Sequence, residues 1–134
     1  MFSLHPQLEA DCTPVGDLAL CRVLLLHDAN YPWLILVPRR PDIVEIHELS
    51  GTDQHTLVDE SSMVAGAMKS LFSAHKMNVA ALGNMVPQLH LHHIARFRED
   101  PAWPGPVWGK LPARAYEPEA LEERLSLVRE AIGL

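Results

Sequence analysis

The chain has 134 residues, 11 basic against 17 acidic, for a formal charge of −6. That is enough length for one domain with its own core, and it offers no basic surface for polymeric DNA or RNA, while leaving a mononucleotide or dinucleotide ligand open. Its two cysteines, Cys12 and Cys21, are too few for a disulfide framework and too far apart for a CxxC pair, so reduced thiols in a cytoplasmic protein are expected. Met1-Phe2-Ser3-Leu4-His5-Pro6 lacks the basic and apolar regions of a secretory signal, and the apolar runs are shorter than a membrane span.

Two apolar runs, Leu18 to Leu26 and Trp33 to Pro38, flank His27-Asp28-Ala29-Asn30-Tyr31-Pro32, a segment with turn chemistry. They predict two antiparallel strands, the second ended by the prolines around Arg39-Arg40. Ile43 to Leu49 predicts a short helical turn. Thr52 or Asp53 offers the cap of a main helix running to about His75, since Leu57, Val64, Met68 and Leu71 recur at helical spacing. Lys76 to Leu82 reads as a third strand, with Gly83-Asn84-Met85 as the turn into a fourth.

Arg98 to Tyr116 carries Pro101, Pro104, Pro106 and Pro112 with Trp103 and Trp108 between them. Prolines at this density exclude regular structure, yet the indoles need burial, which predicts an ordered loop that the tryptophans anchor or with which they cover a site. Glu117-Pro118-Glu119 opens a C-terminal helix, about 117–132, with Leu121, Leu125, Val128 and Ile132 on one face. The whole reads as one α+β domain, 1–134, on an antiparallel sheet, with a core of about 18–97 and a loop over 98–116.

The fourth strand carries the chemistry. In Val86-Pro87-Gln88-Leu89-His90-Leu91-His92-His93-Ile94-Ala95-Arg96, three of the eight histidines fall within four residues. Alternation along a strand puts Gln88, His90 and His92 on one face and Leu89, Leu91 and His93 on the other. An imidazole is a good nucleophile toward phosphorus at neutral pH, and a second on the same face can donate a hydrogen bond or proton to a departing oxygen. Backbone N–H groups and an amide in the Gly83-Asn84 turn suit phosphate oxygens.

This pattern resembles the histidine triad (HIT) family, whose motif is His-φ-His-φ-His-φ-φ after a Gly-Gln/Asn turn and often before an arginine. The match is Gln88-Leu89-His90-Leu91-His92-His93-Ile94, then Arg96, with Leu26-His27-Asp28 before Leu34-Ile35-Leu36-Val37-Pro38 resembling the family's paired strands. The resemblance implies a nucleotide hydrolase or nucleotidyl transferase of the phosphoramidase or dinucleoside polyphosphate hydrolase kind. His90 would attack the α-phosphorus to form a nucleotidyl-histidine intermediate, and His92 would hydrogen-bond the phosphate or assist the leaving group. Asp28, with His27 beside it, takes the place of the ribose contacts, and Asn84 with Gly83 that of the phosphate contacts. Asn78 lies where some members place another polar nucleotide contact. The resemblance also implies a homodimer that extends the sheet, and no cofactor.

Two positions depart from the motif. Gln88 replaces the first histidine and can orient but cannot carry a proton, and Met85 replaces a frequent hydroxyl residue. Three other readings are compatible with the residues. The histidines can be satisfied members of a sheet face, His90 and His92 can chelate zinc with a third ligand such as His27, or the fold can serve as a non-catalytic nucleotide-binding or protein-interaction module. His93 is expected to be a packing or surface residue. Arg96 reads either as a phosphate contact or as a solvated strand end.

Overall fold

The computed structural model describes all 134 residues. A short helix α1 (Pro6–Asp11) leads into strands β1 (Cys12–Asp17), β2 (Cys21–Leu26) and β3 (Trp33–Pro38). After a single 3-10 turn at Ile46–Glu48 come the long helix α2 (Gly51–Phe72), strands β4 (Lys76–Ala80) and β5 (Leu91–Arg96), and helix α3 (Pro118–Ile132). The five strands form one sheet in the order β1-β2-β3-β5-β4, antiparallel throughout. The α+β architecture read from the sequence is the one observed.

Several boundaries move, each for a local reason. Strand β1 and helix α1 were not anticipated. Cys12–Asp17 contains Pro14 and Gly16, with a register shift between them, and shows no apolar alternation. As an edge strand it tolerates a proline that donates no ladder bond. Helix α1 is six residues long, too short for a periodic signal, and is set by Pro6 in its first turn and by the His5 ring, which accepts from the Gln7 N–H. Strand β2 begins at Cys21 because residues 18–20 form the turn from β1. The cap of α2 is Ser50, whose Oγ accepts from the Asp53 N–H at 3.1 Å, in place of Thr52 or Asp53. Strand β4 stops at Ala80.

Both faces of the sheet are covered. Val23, Leu25, Leu34, Leu36, Leu91 and Ala95 pack with Leu57, Val64 and Met68 of α2 and Leu125, Val128 and Ile132 of α3. Leu24, Trp33, Ile35, Val37 and Ile94 pack on the opposite side with Leu8 of α1 and with Ala102, Val107 and Trp108 of the loop. Burial on both sides explains why β3 reads as an unbroken apolar run instead of alternating. Glu60 ties α2 to the start of β2, its buried carboxylate accepting from the Leu20 and Cys21 N–H groups at 2.9 and 2.8 Å. Cys12 and Cys21 are free and buried, in the cores on opposite sides of the sheet, and burial pushes the Cys12 thiol up to about 12.

Candidate functional site

The ladder of β5 starts at Leu91, so Gln88 and His90 precede it instead of lying within a strand from Val86 onward. Proline at position 87 has no N–H for a ladder, and residues 86–90 have no sheet partners, although the Leu89 N–H bonds to the Ile43 carbonyl at 2.9 Å. Parity still holds where the ladder exists. His92, Ile94 and Arg96 face the side covered by α1 and the loop, while His93 turns to α2, where Ser61 Oγ lies 2.7 Å from its Nε2.

The His90 ring is oriented by its own chain. Its Nδ1 lies 2.7 Å from the Gln88 carbonyl, which can only accept, so Nδ1 carries a hydrogen and, in the neutral ring, Nε2 holds the lone pair. The His92 ring centroid stands 5.0 Å away. Around His92 is an aromatic box in which the Trp33 indole donates to its Nδ1 at 2.9 Å, with Trp33 and Trp108 edge-on at 5.6 and 5.2 Å. Burial, with smaller contributions from His90 and His93, brings the His92 imidazole down to about 4, so it is neutral at pH 7. Burial also brings His93 down to about 4.

A cavity of about 390 Å³ opens beside His90, within the usual range for small-molecule sites. Its walls include His47 of the 3-10 turn and Glu45 that caps it, Gln54 of α2, Gly83 and Pro87. Gly83 has φ +73°, a left-handed conformation that a side chain would strain, and it bends the segment between β4 and β5 around the cavity. Asn84 and Met85 beyond it are exposed, Met85 almost fully.

Other predicted site residues sit away from this cavity. Gln88 points to the N-terminal segment, where its Oε1 accepts from the His5 N–H at 2.8 Å and its Nε2 donates to the Ser3 carbonyl at 2.9 Å. His27 Nε2 lies 2.7 Å from Thr13 Oγ1. Asp28 is buried in the β2–β3 turn, its Oδ1 accepting from the Asn30 and Arg114 N–H groups at 2.9 and 3.3 Å. Asn78 shares the His92 side of the sheet, but its Oδ1 accepts from Arg96 at 2.7 Å. No three His, Cys, Asp or Glu side chains converge to hold a metal ion, so a zinc reading of His90 and His92 lacks its third ligand.

Arg96 fits neither sequence expectation, a phosphate contact or a solvated end. It is 1% exposed, pairs with Asp100 at 2.8 Å and donates to the Gly105 carbonyl at 2.8 Å, between the Tyr31 and Trp103 rings. Asp100 in turn accepts from the Phe97, Ala102 and Trp103 N–H groups at 3.0, 3.1 and 2.8 Å. Its carboxyl is pushed up by burial but held below the usual range overall by Arg96 and by the Phe97 and Ala102 N–H groups. This clamp orders the proline-rich loop and so seats Trp108 against His92. Sequence reasoning missed the contributions of Trp33, Glu45, His47 and Gln54. Only Trp33 carried a signal, because an indole in a buried strand needs an acceptor.

The family model described as the HIT domain matches residues 7–99. Solved structures similar to this chain include a histidine triad protein from Bradyrhizobium japonicum, 49% identical, with 98% of each chain covered and a TM-score of 0.96. Another from Marinobacter aquaeolei VT8 is 51% identical over 99% of this chain and 97% of that one, with a TM-score of 0.97. A third, from Sinorhizobium meliloti 1021, is 45% identical over 97% and 96%, with a TM-score of 0.95. No curated protein matches the chain. The matched model spans more than half of the sequence and the solved relatives cover nearly all of it, so the chain belongs to the histidine triad (HIT) domain family.

Proposed function

We propose that the protein is a nucleotide hydrolase or nucleotidyl transferase that cleaves at the α-phosphate of a mono- or dinucleotide through a nucleotidyl-His90 intermediate. The observation that carries this is the bond between His90 Nδ1 and the Gln88 carbonyl, which in the neutral ring puts the hydrogen on Nδ1 and the lone pair on Nε2 of a residue that lines a cavity. In the first step Nε2 bonds to phosphorus while the bond to the leaving oxygen or nitrogen breaks, its electron pair departing with the leaving group; an oxygen leaves as the phosphate anion, and a nitrogen takes a proton from solvent and leaves as the neutral amine. Water then attacks the same phosphorus in hydrolysis, or the hydroxyl of another acceptor does so in transfer, its proton passing to solvent as the P–N bond breaks and His90 Nε2 recovers its lone pair. His92 donates a hydrogen bond to the phosphoryl group, and the Gly83-Asn84 turn supplies further donors. Gln88 serves as an anchor for the N-terminal segment, not as an acid or base.

Incubating the protein with a panel of labelled phosphoramidates and dinucleoside polyphosphates, beside His90→Ala, tests this reading. Nucleoside monophosphate release by the wild type alone is expected. No turnover by either protein, or equal turnover by both, would sink it.

A second reading follows from Gln88, whose amide is tied to Ser3 and His5 of the N-terminal segment and cannot carry a proton. A nucleotide-binding module that has lost turnover would show a nucleotide-dependent rise in melting temperature with no product. A homodimer joined along β4 and α2 accords with the exposed apolar Val58, Met63 and Val79 and is checked by light scattering. No helix is long and apolar enough to cross a membrane.

A further inference from the structure

We propose that Trp33 is a positioning residue that fixes the proton of His92 on Nε2, so that the two neighbouring imidazoles are held in opposite tautomers. The inference rests on the reading of His90 and His92 as the reacting pair. An indole has one N–H and no acceptor. At 2.9 Å from His92 Nδ1 it requires a lone pair there, which leaves Nε2 as the only place for the proton of a neutral ring. Adding a second proton would set an N–H of His92 against the N–H of the indole and break the bond. At His90 the partner is a carbonyl at 2.7 Å, and the arrangement is reversed, with the hydrogen on Nδ1 and the lone pair on Nε2. A carbonyl behind one ring and an indole behind the next thus give a nucleophile and a donor with centroids 5.0 Å apart.

The indole has no room to turn away. Trp33 is 6% exposed, edge-on to Tyr31 at 6.2 Å and to Trp108 at 5.9 Å. Trp108 is carried by the loop that Arg96 and Asp100 clamp. The loop therefore acts on the chemistry through the orientation of one imidazole.

The consequence concerns proton bookkeeping. As His90 Nε2 bonds to phosphorus, the electron pair of the breaking bond goes to the leaving group, and the His92 proton stays on Nε2 as a shared hydrogen bond. His92 does not act as an acid drawn from an imidazolium. Leaving groups that depart as stable anions, such as phosphates, are served directly by this donor.

Long-range proton–nitrogen correlation of the histidine rings in nitrogen-15-labelled protein at pH 7 reads the two tautomers directly. A protonated Nε2 on His92 and a protonated Nδ1 on His90 are expected. A hydrogen on His92 Nδ1 would overturn the inference, whether or not the protein turns over any nucleotide. Trp33→Phe keeps an aromatic ring and removes the donor. The His92 signals are expected to move toward a mixture of tautomers, and kcat to fall about 10- to 100-fold, the loss of one buried hydrogen bond, with KM within about twofold. Retention of a pure Nε2 tautomer and full kcat in Trp33→Phe would also overturn it. If that variant does not fold, the wild-type spectrum decides alone. A wild type with the expected tautomers but no turnover faults the proposed reaction and not the role of Trp33.

Discussion

His92 and His93 are adjacent in sequence, both buried, and both brought down to about 4 by burial, yet they occupy different worlds. His93 faces α2 with both nitrogens spent, Nδ1 at 3.1 Å from the Leu91 carbonyl and Nε2 at 2.7 Å from Ser61 Oγ. On His92 only Nδ1 is engaged, and its ring stands against that of His90, which lines a cavity. Neither burial nor a depressed pKa separates the two. What separates them is a ring nitrogen left without a protein partner, on a ring that stands beside the cavity-lining His90.

Substitutions on the two sides should therefore fail in different ways. The largest effect is expected from His90→Ala, a loss of roughly 10⁴-fold or more in turnover, as when a nucleophile is removed, with little change in melting temperature. Comparable loss from His93→Ala would break the comparison. Next comes Arg96→Leu, which leaves the buried Asp100 carboxylate uncompensated and should cost about 3–5 kcal/mol in urea unfolding. The variant should also quench less of the Trp108 environment change on unfolding, because the loop loses its clamp.

The third effect is one of pH. Both buried rings titrate near 4 when folded against 6.5 when unfolded, so between these values the unfolded chain binds more protons. Their stabilising contribution is complete above pH 6.5 and is lost as the pH falls toward 4, by up to roughly 3 kcal/mol per ring. Asp17 and Asp100, held below their ordinary 3.8, lose theirs only at lower pH. Unfolding free energy measured from pH 7 to 4 should fall steeply, and a flat profile would contradict the burial of the rings. The smallest effect belongs to His93→Ala, about 1–3 kcal/mol of stability, with turnover per folded molecule unchanged and its share of the acid slope removed.

Much of the fold was legible because apolar period and turn chemistry are local. The helix α2, the β2–β3 pair and α3 follow from residue spacing alone. Strand β1 was not legible, since Pro14 and Gly16 erase its pattern and only pairing with β2 defines it. The same division runs through the candidate site. His90 and His92 stand out from spacing, and His93 from parity. The neighbours that give them their character lie far along the chain, Trp33 at 59 residues from His92 and His5 at 83 from Gln88.

By itself, then, the sequence determined an α+β domain with a histidine pair beside a glycine turn, because alternation and turn propensity act between near neighbours. Tertiary structure alone decided that Gln88 binds the N-terminal segment, that Arg96 is buried as a clamp, and which nitrogen of His92 meets an indole. Hydrogen-bond partners are assigned by where distant segments come to rest when the core closes. A side chain with both donor and acceptor capacity takes its role from whichever partner arrives.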